Sequence, residues 1–519
     1  LKGVCVHHDG GCLGAAMTAE VWERRLLSLK EMGCNAIRTS HNPHMPELYD
    51  LCDRLGFLMM GEAFDEWENA KNKWSTGHNV YPPRHQGYFE DFPQWHERDL
   101  ADMILRDRNH PSVILWSIGN EIDYPNDPYC HPLFSEMTGN NDANKPAAER
   151  QYNPDKPNME RLAPIAAHLA EIVRRYDTTR PVTLAAAFPE LSSRLHYFDA
   201  LDVVGYNYKE HLYEEDHRRF PSLPFLGSEN SHGLKEWKAV TENDYISGQF
   251  LWTGIDYLGE AHGWPIHGSS AGLLTLAGFP KNRYYRRQSF WLDAPVLHLS
   301  TARYTGDVTE YLHASDCWNY EDGEQILVRC YTNLPSAELF VNGRSMGRKE
   351  GLNEEGSMDW IVPFEAGELR VEGYPESGDA EPVTFLLNTV GEPERLLLNR
   401  WASPEWIPGV LKTLPDDAAS QAADSMTGYV EQIEISLADH DGNVAVHRDV
   451  PVTVSVSGPG VLLGLESGNL ADNTPYSEPV RSTMDGRLIA YVRRTGAGSV
   501  LVTVHAEGCE EASIRLTED

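Results

Sequence analysis

Through the first 300 residues, short apolar runs alternate with longer stretches whose apolar positions recur at helical spacing. Runs of about 4–8 apolar residues suit strands buried on both faces, and the amphipathic intervals suit helices that cover them. The pattern predicts strands at Gly3–His7, Asn35–Thr39, Phe57–Gly61, Ser112–Ile118, Pro181–Ala185, Val203–Tyr206, Phe225–Gly227 and Gly248–Trp252. Helices are expected at Ala19–Met32, Met45–Leu55, Gln94–Arg108, Leu162–Tyr176 and Tyr284–Trp291. Eight strands alternating with helical intervals over this length predict an α/β (β/α)8 barrel. The rival, a doubly wound open sheet, would want a phosphate-binding glycine loop after the first strand. The stretch Gly10-Gly11-Cys12-Leu13-Gly14 stands there with the wrong spacing.

After Ser300 strand-length runs follow one another closely and no long helical pattern appears. Gln325–Thr332 and Ala337–Val341 precede Asn342-Gly343, a strong hairpin signal. Tyr429–Leu437, Pro451–Val456, Ser499–His505 and Ile514–Leu516 continue the pattern, with a polar, loop-like Asp416–Asp424 before them. The expected organisation is a catalytic barrel over 1–300 and two immunoglobulin-like β-sandwiches over 301–390 and 391–519.

Charge and cysteine usage narrow the classes. The 44 basic and 78 acidic residues leave a net charge of -34, a surface that repels nucleic acid. No apolar run reaches the roughly 18 residues of a membrane span. The eight cysteines stand singly, without a CxxC pair, so neither a zinc ribbon nor a redox motif is predicted and a reducing, cytoplasmic setting is favoured.

Barrel chemistry sits at the carboxyl ends of the strands. The fourth predicted strand runs into Gly119-Asn120-Glu121, and the seventh into Gly227-Ser228-Glu229. Strands four and seven lie across a barrel from each other, so two carboxyl groups can face one cleft. Glycoside hydrolysis needs such a pair, one protonated and one ionised. His7, His8 and Asp9 with His41 lack a metal-binding spacing such as HExxH, and no metal is expected.

These residues also resemble a known family. Asn35-Ala36-Ile37-Arg38-Thr39-Ser40-His41-Asn42-Pro43, Gly61-Glu62-Ala63-Phe64-Asp65-Glu66, Ser117-Ile118-Gly119-Asn120-Glu121 and Gly227-Ser228-Glu229 are similar to motifs of glycoside hydrolase family 2. Phe250-Leu251-Trp252-Thr253-Gly254-Ile255-Asp256-Tyr257 and Gly278-Phe279-Pro280-Lys281 resemble its β-galactosidase-like branch. The resemblance implies double displacement on β-linked sugars without a cofactor, with Glu121 as acid/base and Glu229 as nucleophile. It also implies roles for their neighbours. Asn120 would donate to the sugar 2-hydroxyl, Tyr206 would orient Glu229, and Trp252 would floor the sugar. His41 would bind a hydroxyl, Arg38 would hold a catalytic carboxylate, and Asp65 with Glu66 would meet the non-reducing sugar. The aromatic insertion from Trp67 to Trp95 is a candidate wall for the leaving group, or packing over the barrel rim.

Two departures shape the expected substrate and partners. The family's β-glucuronidases carry an Asn-x-Lys where this chain has His267-Gly268-Ser269-Ser270-Ala271-Gly272-Leu273. A buried sugar carboxylate without a cation is costly, so a neutral β-galactoside is expected before a glucuronide. Some β-galactosidases place an Asn where Ala271 stands. Two β-domains normally precede the family's barrel, whereas this chain starts at its first strand. Those domains, or a further copy of the chain, are the expected protein partners, beside the carbohydrate substrate itself. The alternatives are a β-glucuronidase or another β-glycosidase of the family, or a catalytically weak carbohydrate-binding fragment.

Overall fold

The computed structural model describes the chain apart from residues 72, 75–78, 81–86, 125–127, 137–151, 262, 307–313, 377–380, 404–427 and 518–519. The stretch Asp416–Asp424 and much of the aromatic insertion therefore lie outside the described residues. Two compact units are present: Leu1–His8 with Cys34–Gly272, and Asp9–Gly33 with Leu273–Asp519.

The first unit contains a closed barrel of eight parallel strands. In chain order they are β1 (Lys2–Val6), β2 (Ala36–Thr39), β3 (Leu58–Glu62), β4 (Val113–Asn120), β5 (Val182–Ala186), β6 (Val204–Asn207), β7 (Phe225–Asn230) and β8 (Ile246–Leu251). Each pairs with its sequence neighbours, and β8 closes onto β1 with Gly3 opposite Phe250. Gly3 is required there, because a Cβ would lie 2.4 Å from the Phe250 ring. The strands are buried on nearly every residue, as the continuous apolar runs predict. Cys5, Ala36, Met60, Leu115, Leu226 and Phe250 form one apolar cluster contributed by six of the strands, so the barrel is packed and its chemistry is confined to its rim.

Local signals explain the helices. Pro46–Leu55 begins on a proline in its first turn and stops at Gly56, whose φ of 72° satisfies a left-handed cap. Leu162–Tyr176 follows a clear amphipathic period and matches its predicted span. The β4 and β7 strands extend beyond their predicted ends, to Asn120 and Asn230. Polar residues continue these strands because their side chains have partners at the rim.

In the second unit, four antiparallel sheets form two pairs. Sheets spanning 297–388 enclose a core with Leu299, Val328, Leu339, Trp360 and Val371. Sheets spanning 395–516 enclose another with Ile433, Val454, Leu488, Val502 and Leu516. The Asn342-Gly343 signal is realised: Ser336–Val341 and Arg344–Glu350 pair antiparallel around it, with φ of 49° and 74° at the two turn residues. Among the described residues no helix is long and apolar enough to cross a membrane.

Candidate active site

The carboxyl ends of β2, β3, β4, β6 and β7 bring one polar network together, and Arg38 is its hub. This fully buried arginine lies in β2. Its Nε and Nη2 donate to Glu62 Oε1 at 3.2 and 2.7 Å. Nη1 donates to Glu229 Oε2 at 2.9 Å and to the Ser228 carbonyl at 2.8 Å, and Nη2 also donates to Asn120 Oδ1 at 2.9 Å. Glu62 Oε2 meets His41 Nδ1 at 2.6 Å. The charges thus alternate along Glu229, Arg38, Glu62 and His41, which is how a low-dielectric site tolerates several ions. Burial opposes charge on His41, but Glu62 outweighs it and raises its pKa. Burial would raise Glu62, but Arg38 and His41 outweigh it and hold it low.

The two predicted carboxyl groups are both present at this rim. Asn207 Nδ2 lies 3.2 Å from Glu121 Oε1 and 3.1 Å from Glu229 Oε2. One amide within reach of both keeps these two oxygens no more than about 6.3 Å apart, a bound that admits the about 5–5.5 Å separation of retaining glycosidases. Glu229 is 5% exposed, and besides Arg38 and Asn207 it accepts a hydrogen bond from Tyr208. Burial pushes its carboxyl up to about 7, against the pull of Arg38 and with Glu121 adding to the rise. Glu121 is half-buried, and among the described residues its carboxyl accepts a hydrogen bond from Asn207 alone.

Asn120 accepts from Arg38 and from Asn207 Nδ2, the latter at 3.1 Å, and donates to Asp65 Oδ1 at 3.1 Å. Its amide face is therefore fixed. Asp65 also binds Lys71 Nζ at 3.0 Å. Burial would raise Asp65, but Lys71 and His41 outweigh it and hold its carboxyl low. Trp252 follows β8 and stacks on His41 with ring centroids 5.2 Å apart. His7 stacks on Tyr257 at 3.8 Å, and both rings meet Trp252 edge-on. The resulting aromatic wall suits the apolar face of a pyranose.

Two predicted placements are corrected. Tyr206 does not reach Glu229. Strand residues alternate faces, and Tyr206 points outward, donating to Asp216 Oδ2 at 2.8 Å on Tyr213–Arg219. Tyr208, two residues on and at φ 56°, turns back to Glu229. Glu66 is 2% exposed and accepts from the backbone N–H groups of Lys71 and Phe89 at 3.1 Å each. It anchors the following loop rather than facing a sugar. Trp67 is also buried, donating to the Ile118 carbonyl at 3.0 Å, so this end of the insertion packs over the rim.

Asn207, Tyr208 and Glu62 escape the sequence reading. Asn207 ends a strand as Asn120 does, and that position is the signal that could have found it. Register shifts at Ser117/Asn120 in β4 and at Tyr206/Asn207 against β7 break the alternation that parity assumes. Bulges at barrel rims re-aim side chains in this way. Glu121 itself stands at φ 50°, a left-handed position uncommon for a glutamate and frequent at functional sites.

A closed parallel barrel whose strand ends bring two glutamates, fixed amides and an aromatic wall to one rim defines a barrel glycoside hydrolase. Residues 1–261 match the model for the glycosyl hydrolases family 2 TIM barrel domain, 416–515 match glycoside hydrolase family 2 C-terminal domain 5, and 323–380 match a domain of unknown function. The chain belongs to glycoside hydrolase family 2. It is 34% identical to the beta-galactosidase BoGH2A of Bacteroides ovatus, over 100% of this chain and 61% of that protein. It is 25% identical to a beta-glucuronidase of Bacteroides fragilis, over 67% of this chain and 48% of that one. A solved structure of a family 2 member from Bacteroides cellulosilyticus superposes with a TM-score of 0.78 at 29% identity, covering 100% of this chain and 61% of that one. A beta-glycosidase from Bacteroides vulgatus gives 0.73 at 25%, covering 99% and 64%. The chain thus spans about three fifths of the length of such relatives.

The Tyr206/Tyr208 correction has a direct test. Tyr208→Phe is expected to lower kcat on a nitrophenyl glycoside by about tenfold to a hundredfold, by removing a donor to the charged form of Glu229. Tyr206→Phe should leave kcat within about twofold and cost about 1 kcal/mol of stability. Equal losses of kcat in both variants would contradict the assignment.

Proposed function

We propose that this chain is the catalytic part of a retaining exo-β-glycosidase for neutral terminal sugars, β-galactosides first. The observation that carries the reading is the Asn207 amide within hydrogen-bond distance of both Glu121 and Glu229, which supports a pair close enough for double displacement.

Glu229 is the nucleophile. Arg38, Asn207 and Tyr208 all donate to it, favouring its charged form and aiming it. Glu121, whose carboxyl is partly exposed and meets Asn207, protonates the leaving oxygen. It then takes the proton from the water that cleaves the glycosyl–Glu229 ester, returning both groups to their starting states. Asn120, fixed from three sides, donates its remaining amide hydrogen to the sugar 2-hydroxyl, where bonding strengthens in the transition state. Trp252 carries the sugar's apolar face, and His41 meets a hydroxyl.

A neutral sugar is supported by the site's ions. Arg38 is committed to Glu62 and Glu229, and the Lys71 ammonium to Asp65. Neither offers an unshared positive charge to a uronate. Similarity to a beta-glucuronidase keeps glucuronides as the second reading.

Incubation with a 2-fluoro-β-galactoside should add one sugar to the Glu229 peptide by mass spectrometry. No label on the folded protein from this or any other 2-fluoro-β-glycoside would sink the retaining mechanism. Glu121→Ala should keep turnover of aryl glycosides with good leaving groups and yield β-glycosyl azide when azide is added. The pH profile carries the same logic. Glu229 attacks only when ionised, and its carboxyl is pushed up to about 7, so kcat/KM should rise as pH rises through about 7. That limb should persist in Glu121→Ala; its loss would assign the ionisation elsewhere.

A further inference from the structure

A short hairpin follows β8. Tyr257–Leu258 pairs antiparallel with Gly268–Ser269, Tyr257 opposite Ser269. Its first strand delivers Tyr257 to the aromatic wall, stacked on His7 and edge-on to Trp252. The Tyr257 hydroxyl hydrogen-bonds Glu260 Oε2 and also contacts Ser269. Gly259 and Glu260 both stand in the left-handed region, at φ 91° and 46°. A carboxylate residue held there, and clamped by a buried tyrosine, is a position the fold maintains at some backbone cost. Glu260 Oε1 has no hydrogen-bond partner among the described residues. The group is half-buried; burial raises its carboxyl against the pull of Tyr257 and His41, with Asp65 and Glu121 adding to the rise, so it carries its charge above that raised pKa, and His41, Asp65 and Glu121 are all residues of the catalytic rim.

We infer that Glu260 is a specificity determinant: its free oxygen accepts a hydrogen bond from a hydroxyl of a bound neutral sugar, and its charge repels the carboxylate of a uronic acid. Tyr257 is the positioning residue, holding Glu260 against the wall that carries the sugar ring. The inference rests on the neutral-glycosidase reading and deepens it. Selection against a charged competitor then comes from a repulsive group built into the site, beside the commitment of Arg38 and Lys71 to carboxylates. Asp65 cannot do the same work, because Lys71 already neutralises it.

Galactose and galacturonate differ by one carboxylate at C6, so their competition against nitrophenyl β-galactoside hydrolysis isolates the effect. The full-length protein should bind galacturonate much more weakly than galactose. In Glu260→Gln the ratio of the two inhibition constants should fall by about tenfold or more, the scale of one like-charge contact over several ångströms at a partly buried site. KM for the galactoside should rise at the same time, because the amide turns one carboxylate oxygen into a donor and removes the charge that strengthens the remaining acceptor. Tyr257→Phe should move the ratio part of the way, changing KM and the inhibition constants more than kcat. It also serves if Glu260→Gln folds poorly. A ratio unchanged within about twofold in both variants, while 2-fluoro-galactoside still labels Glu229, would overturn the role of Glu260 and leave the retaining reading standing. A wild type that neither hydrolyses nor is labelled by neutral glycosides, yet turns over a β-glucuronide, would overturn both.

Discussion

Glu229→Gln is expected to abolish turnover, by at least about a thousandfold in kcat, and at the same time to raise the unfolding temperature at pH 8. The two effects have one cause. Glu229 is buried and its carboxyl is raised from 4.5 to about 7. A carboxyl whose pKa is higher in the folded state holds its proton more tightly there. Its ionisation therefore destabilises the fold progressively as pH rises from about 4.5 through about 7, and the penalty is complete above that. Glutamine is a permanent mimic of the protonated form, so it escapes the penalty. At pH 8 the variant should be more stable by about 1–3 kcal/mol, and at pH 4 the difference should disappear. Thermal unfolding of both proteins at the two pH values measures it. A variant that is inactive but equally stable at pH 8 would mean that Arg38, Asn207 and Tyr208 fully compensate the nucleophile's desolvation. The ground-state cost argued here would then be absent.

How much of this was legible beforehand depends on which physical rule was in force. Rules of period and position worked. Continuous apolar runs gave the eight strands, and the carboxyl ends of β4 and β7 gave Glu121 and Glu229. The family resemblance pointed to Arg38 as the partner of a carboxylate, and its Nη1 lies 2.9 Å from Glu229 Oε2. Parity failed at β6. Simple alternation cannot say which of Tyr206, Asn207 and Tyr208 faces inward once a register shift intervenes and Tyr208 adopts a left-handed backbone. Glu66 was misplaced for a related reason: a buried acid after a strand end can serve the backbone of its own loop, as its bonds to Lys71 and Phe89 do. Glu62 stands in Gly61-Glu62-Ala63-Phe64-Asp65-Glu66 without a signal of its own, since a sequence does not reveal that one acid must balance an arginine and a histidine at once. Glu260 lay beyond any strand signal, on a hairpin of two-residue strands too short for a periodicity to register.

The same ion chain makes the opposite prediction for its cation. Arg38→Met should cost both activity and stability. The side chain supplies hydrogen bonds to Glu62, Glu229, the Ser228 carbonyl and Asn120, and its loss leaves Glu62 fully buried with His41 as its remaining charged neighbour. Removing one partner of a buried ion pair costs about 3–5 kcal/mol, chiefly through the uncompensated charge left behind. At pH 8 Glu62 is left as such a charge, while Glu229 avoids it by keeping its proton, and the unfolding free energy should drop by about that amount. Lowering the pH lets the carboxylates protonate, so the deficit should shrink towards pH 5. Activity should respond in the reverse sense. Arg38 is the group that pulls the Glu229 carboxyl down; without it Glu229 keeps its proton to higher pH, and the nucleophile is switched off near neutrality by about a hundredfold or more. Part of that loss should return as pH rises, until the acid/base proton is lost as well. Arg38→Lys keeps a charge but cannot span Glu62, Glu229 and Asn120 together, so it should recover stability more than activity. Denaturant unfolding at pH 5 and pH 8, paired with kcat/KM profiles, separates these outcomes. An Arg38→Met protein as stable as wild type at pH 8 would show that the alternating charges do not hold this rim together.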